Sequence, residues 1–286
     1  LNSNPDPDAR MNTSHALKAL ALTGGILLAA LPAQAHRGWL LPSATVLSGN
    51  EPWVTVDAAI SNDVFYFEHN AMRLDGLQVL APDGAPAAPE NPNTGRYRSS
   101  FDLKLAQKGT YKLALVNDFL FASYKLGGEA KRLRGSADAL AKDLPPQAQE
   151  LQVTQQQNRV ETFVTSGKPS DGVLKPTGRG LELVPVTHPN DLFVGDAAKF
   201  RFVLDGQPAA GVQVTVIAGG IRYRDKLEEL QLSTDAQGEV SIRWPAPGMY
   251  WLNATLPGAA RGAAGGTLAQ PLRRASYTAT LEVLPQ

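Results

Sequence analysis

The chain predicts an all-β protein: two immunoglobulin-like antiparallel β-sandwich domains in tandem, with a short polar insertion in the first. Three observations carry this. Apolar residues recur with a period of two rather than 3.6, in short runs rich in β-branched and aromatic residues. Gly, Pro, Asn and Asp turn signals separate the runs. Roughly 250 residues follow an N-terminal leader, enough for two domains of about 100–150 residues each.

The leader comes first. Residues 1–10 are polar and proline-bearing, and read as sequence upstream of a start at Met11. From Met11 the pattern is that of a secretory signal: His15 and Lys18, an apolar run over 19–31, then Ala33, Gln34 and Ala35 with small residues where a signal peptidase reads. Cleavage after Ala35 makes His36 the first residue of the mature protein. The apolar run is shorter than the about 20 residues a membrane helix needs, and no later stretch is apolar enough to span. A soluble, exported, periplasmic protein is the expectation.

The first domain is placed at 36–166. Residues 53–60 alternate as Trp, Val, Thr, Val, Asp, Ala, Ala, Ile, a half-buried strand. Residues 61–70 are polar at both ends and carry Phe65, Tyr66 and Phe67 between, aromatics that read as core. Residues 97–105 and 111–117 form two more strands joined through Lys108 and Gly109. The insertion is placed near 127–158. It has a basic run at Lys131, Arg132 and Arg134, a short helical pattern stopped by Pro145 and Pro146, and a polar stretch at Gln155–Asn158; all of it reads as a surface element or lid. Strand pattern resumes at 159–165. Residues 167–180 hold Gly, Pro, Ser and Asp throughout and are the linker.

The second domain, 181–286, has about seven strands in about 105 residues, the count of an immunoglobulin-like sandwich. Its turns are marked at Asp205–Gly206, Thr234–Gly238 and Pro247–Gly248.

Composition removes whole classes of function. Lys plus Arg and Asp plus Glu both number 27, so no charge excess points to nucleic acid or an anionic surface. With no cysteine there is no disulfide, zinc-thiolate site or thiol nucleophile. No nucleophile elbow, Walker loop, zinc-protease or dinucleotide signature occurs in a fitting context. No catalytic residue is assigned, and the chain is read as a non-enzyme.

What remains is histidine. After the leader the chain has His36, His69 and His188. An N-terminal His36 offers its free amine and its imidazole to one ion. His69 and His188 both stand at strand-to-loop transitions, where sandwich domains carry their sites. His69 has Asn62, Asp63 and Glu68 nearby, and His188 has Asn190 and Asp191, groups able to orient an imidazole. The expected metal set is His36, His69 and His188, with Asp63 orienting or adding an oxygen. Nitrogen-rich sites suit Cu, Ni or Co rather than Mg or Ca.

Two resemblances sharpen this. Asp205, Gly206, Gln207, Pro208 through Gly211 and Val212, the Thr234–Gly238 turn and the Pro247, Gly248, Tyr250 strand opening are similar to carboxypeptidase-regulatory-like sandwich domains. The whole mature chain resembles a bacterial exported family of unknown function labelled nickel/cobalt-transporter periplasmic component (NikM-like). The matching phrases are the Ala35, His36, Trp39, Leu40, Leu41, Pro42 start, the 56–63 stretch leading to His69, and residues 181–196 around His188. That resemblance implies two β-sandwiches serving metal uptake or delivery, with a separate membrane transporter or outer-membrane receptor as partner. Two other readings stay open at this point: a structural or interaction module, and a copper oxidase of the histidine-brace type.

Overall fold

The computed structural model describes residues 36–256 and 265–286. The expected leader and its cleavage site lie outside the described residues. His36–Gln286 form one compact unit, and among the described residues no helix is long and apolar enough to cross a membrane.

In the first half the strands are β1 (Arg37–Pro42), β2 (Val46–Leu47), β3 (Trp53–Ser61), β4 (Asn70–Ala71), β5 (Leu77–Leu80), β6 (Glu90–Thr94), β7 (Ser99–Lys104), β8 (Gly109–Leu126), β9 (Glu129–Gly135) and β10 (Gln149–Ser166). A short helix, α1 (Ala137–Asp143), precedes β10; Ser136 caps it by accepting from the Ala139 N–H. The second half holds β11 (Leu181–Pro185), β12 (Ala197–Leu204), β13 (Gln207–Pro208), β14 (Gln213–Ala218), β15 (Leu230–Ser233), β16 (Glu239–Arg243), β17 (Gly248–Thr255) and β18 (Leu272–Val283). Tight turns with left-handed glycines, such as Gly206 and Gly238, join them where the sequence marked turns.

The fold is an all-β sandwich, as the period-two pattern predicts. One buried cluster holds Leu40, Val56, Phe101 and Leu113, and another holds Phe200, Trp244, Leu252 and Tyr277. The halves are nevertheless not separate along the sheet. A single nine-stranded sheet runs β15-β14-β17-β18-β10-β8-β5, with β2 branching from β10 and β9 from β8, and β18 of the second half pairs parallel to β10 of the first.

This shared sheet explains two departures from the sequence reading. Gln155–Asn158 are strand interior, because β8 pairs on one side and β18 on the other and satisfies their backbone. The basic run at Lys131, Arg132 and Arg134 lies in β9, which extends β8 as a hairpin. The expected insertion is thus sheet and one short helix rather than a loop.

Toward its end β10 is buried at six successive positions from Glu161 to Ser166, with no alternation left to read. Val160 and Val164 face the first core, while the Glu161 carboxylate on the other face accepts from the Tyr277 hydroxyl at 2.9 Å. Both faces are covered, as in buried parallel sheets. Within this seam Arg159, 8% exposed, donates to Glu161 at 3.0 Å and lies 3.4 Å from Glu182, and those carboxylates are 4% and 3% exposed. Glu182 also accepts from the backbone N–H groups of Thr177 and Gly178 at 2.8 and 2.7 Å. Burial alone would raise the Glu182 carboxyl; the Thr177 donors, the Arg159 guanidinium and Gly178 outweigh it and hold it below the usual carboxylate range.

Candidate metal centre

β1 begins at Arg37, so His36 is the last residue before the sheet. Pairing sets Arg37 opposite Ser61 and Gly38 opposite Ile60. The chain leaves β3 at Ser61, loops through 62–69, and returns as β4, where Asn70 pairs with Ile60. Ile60 therefore lies between Gly38 and Asn70, and the residue two before Gly38 and the one before Asn70 come together past this end of the sheet. Those residues are His36 and His69. Their rings stack with centroids 3.9 Å apart and an interplanar angle of 13°.

The loop holding His69 is fixed from several directions. Glu68 folds back so that its carboxylate accepts from the Asn62 and Asp63 N–H groups at 2.5 and 3.3 Å. The Ser61 hydroxyl donates to the Asp63 carbonyl at 2.6 Å and receives the Trp39 indole N–H at 3.0 Å. Trp39 and Leu40 point to opposite faces of β1: Leu40 enters the first core, while Trp39 enters a third cluster with Val64, Ile217 and Trp251. That cluster joins the loop to the second half. Phe65 meets Trp39 edge-on, with centroids 5.5 Å apart, and takes a left-handed φ of 61°. For a bulky aromatic this conformation costs about 1–2 kcal/mol, so packing must hold it there. One side of that packing is Gly219, where a Cβ would lie 3.1 Å from both the Phe65 ring and the Met249 carbonyl. The Trp251 indole N–H closes the arrangement by donating to the Gly38 carbonyl at 3.1 Å.

The four expected ligands do not converge. His36, exposed, and His69, half-buried, come together. His188 sits in a different network: its Nδ1 accepts from the Asn190 N–H at 3.0 Å, and its Nε2 lies 3.1 Å from the Thr110 hydroxyl and 3.3 Å from the Ser170 carbonyl. Both ring nitrogens are thereby occupied, and the ring ties β8 to the connector and to the start of the second half. Burial pushes the His188 pKa down, against the Ser170 carbonyl and the charges of Asp171 and Asp191. Asp63 does not complete a site either, since no three His, Cys, Asp or Glu side chains gather as a ligand set among the described residues.

The His36–His69 pair brings two imidazoles to one place. Metal–nitrogen bonds are about 2.0–2.1 Å and lie in the ring plane, whereas the stacked rings direct their nitrogens side by side, so joint ligation of one ion requires the exposed His36 ring to turn. Among the described residues neither ring is engaged in a protein hydrogen bond, in contrast to His188. Sequence reasoning found both histidines but missed Trp39, Trp251 and Gly219 as the supports. Trp251 reaches Gly38 and Gly219 meets Phe65 across more than 150 residues, and no local pattern marks these contacts.

The family model described as "Domain of unknown function (DUF4198)" matches residues 33–258. The chain belongs to that family. The match takes in His36, Asp63, His69 and His188. Curated proteins give no match. Among solved structures the chain is similar to the D0-D1 domain of intimin, with 11% identity over 86% of this chain and 97% of that one and a TM-score of 0.22. It is also similar to the ICAM-5 D1-D4 ectodomain fragment, with 10% identity, 87% and 51% coverage and a TM-score of 0.22. A marsupial T cell receptor gives 10% identity, 87% and 74% coverage and a TM-score of 0.22. At such scores these likenesses carry no functional argument.

Proposed function

We propose that this DUF4198 protein is an exported carrier that binds one transition-metal ion at its mature N-terminus and serves metal uptake or delivery. The supporting observation is the pairing of His36 with His69, two imidazoles 3.9 Å apart with no competing protein hydrogen bonds among the described residues. Cleavage after Ala35 would free the His36 amine and add a third nitrogen from the same residue. An all-nitrogen set favours Cu(II) and Ni(II), and Co(II) less, by softness and by the Irving–Williams order. His188, with both ring nitrogens occupied, has a structural part. The nickel/cobalt resemblance noted from the sequence points the same way and suggests a separate membrane transporter as partner.

The reading depends on the amine, and that makes it testable. Protein beginning at His36 should retain one Cu(II) or Ni(II) by native mass spectrometry. The same protein acetylated at its N-terminus, which removes the free amine, should lose most of that affinity. Equal retention by both would count against the chelate.

A further inference from the structure

A cavity of about 340 Å³ opens beside Phe65, where β1, the end of β14 and the start of β17 meet. Leu41, Phe65, Ala218, Pro247 and Met249 give it apolar walls. Gly220 and Gly248 line it as well, and a Cβ added at either would meet nothing within 4 Å, so that side stays open.

Among the described residues one charged side chain lines the cavity, the half-buried Arg224. Its Nη groups donate to the carbonyls of Ala218, Gly219 and Leu227 at 2.8, 3.2 and 3.4 Å. Those bonds tie the turn after β14 but bring no negative charge. The Arg224 Nε is buried and has no partner among the described residues. Asp225, Glu228 and Glu229 follow in sequence, yet all three are exposed, and the hydrogen bonds of Arg224 go to carbonyls alone. The acidic group in the lining is the Tyr250 phenol, which donates to the Ala246 carbonyl at 2.8 Å. Burial pushes its pKa up, against that hydrogen bond and the Arg224 charge, so the phenol stays neutral.

A half-buried guanidinium with only neutral acceptors is under-compensated, because a buried charge is costly unless it is paired as well as hydrogen-bonded. The missing partner is an anion, and a single cation matches a monoanion. The apolar walls match a hydrocarbon body. Ligand sites run from about 300 to 1,000 Å³, and this cavity stands at the small end, which suits a short chain rather than a long lipid tail. We infer that the cavity binds a linear monocarboxylate of medium chain length, its head paired with Arg224 and its chain along Leu41, Phe65 and Met249. Guanidinium and carboxylate form charge-assisted hydrogen bonds, roughly twice as strong as neutral ones. The inference does not rest on the metal site.

Isothermal titration calorimetry of protein beginning at His36 tests this with octanoate and with octanol, which has the chain without the charge. Wild type should bind one octanoate, and octanol at least about tenfold more weakly, the worth of one hydrogen bond to a charged group. Arg224→Gln should weaken octanoate about tenfold and leave octanol unchanged. Because Arg224 also ties its turn, a second variant spares it: Ala246→Trp, at an exposed position in the lining, fills the cavity and should abolish binding of both probes. A thermal melt checks that each variant is folded. No octanoate bound by wild type, equal affinity for the two probes, unchanged affinity in folded Arg224→Gln, or octanoate binding that survives in Ala246→Trp overturns the inference.

Discussion

The two halves of the molecule meet in two places of opposite character. At the seam along β10 and β18, the charged and imidazole groups are satisfied by protein, Arg159 by Glu161 and Glu182 and His188 by Asn190, Thr110 and Ser170, while the buried Thr280 hydroxyl has no partner among the described residues. At the β1 end, the junction is aromatic, Trp39, Phe65 and Trp251 hold it, and two imidazoles stand without protein partners among the described residues. The seam commits Arg159 and His188 to holding the halves together. The β1 end keeps nitrogen donors in reserve, and supports a left-handed Phe65 whose backbone cost must be met by packing. A histidine's chemistry follows from what its nitrogens already touch.

That contrast can be broken most forcefully at the seam. Arg159→Met leaves Glu161 and Glu182 buried without their cation, and should destabilise the fold by about 3–5 kcal/mol. Denaturant unfolding measures this, and metal affinity in the folded fraction should not change. Next, His69→Ala should lower Cu(II) or Ni(II) affinity at least about 100-fold, since even partners of ligands change affinity by 10–100-fold. Its melting temperature without metal should stay close to wild type. His188→Ala should do the reverse: a loss of about 1–3 kcal/mol from the stranded Asn190 N–H, with metal affinity retained.

The smallest expected effect is a pH dependence. Folding lowers the His188 pKa, chiefly through burial, so the unfolded chain binds more protons there. The contribution of His188 is complete above the unfolded value of about 6.5. It is lost as pH falls through the lower folded value, because the Asn190 N–H requires an unprotonated Nδ1 as acceptor. The stability difference between wild type and His188→Ala should shrink over that range. A difference that stays level with pH would mean the ring is not locked as described.

Much of this was legible from residue order. Alternation at Trp53–Ile60 and the turns around Gly206 and Gly238 follow from period-two patterning and turn chemistry. The shared sheet was not, because parallel pairing of β10 with β18 joins residues more than 110 apart. The glutamine run at 155–157 reads as loop unless both of its neighbours are known. At the site, His36 and His69 stood out by their scarcity. His188 looked equivalent from its Asn and Asp neighbours, since sequence shows adjacency and not which nitrogen accepts which N–H.

The most direct test of the account is electron paramagnetic resonance of Cu(II) on protein beginning at His36, comparing wild type with His69→Ala and His188→Ala. Nitrogen couplings from two imidazoles in wild type and in His188→Ala, with one imidazole lost in His69→Ala, are the predicted result. A spectrum that changes with His188 and not with His69 would contradict it.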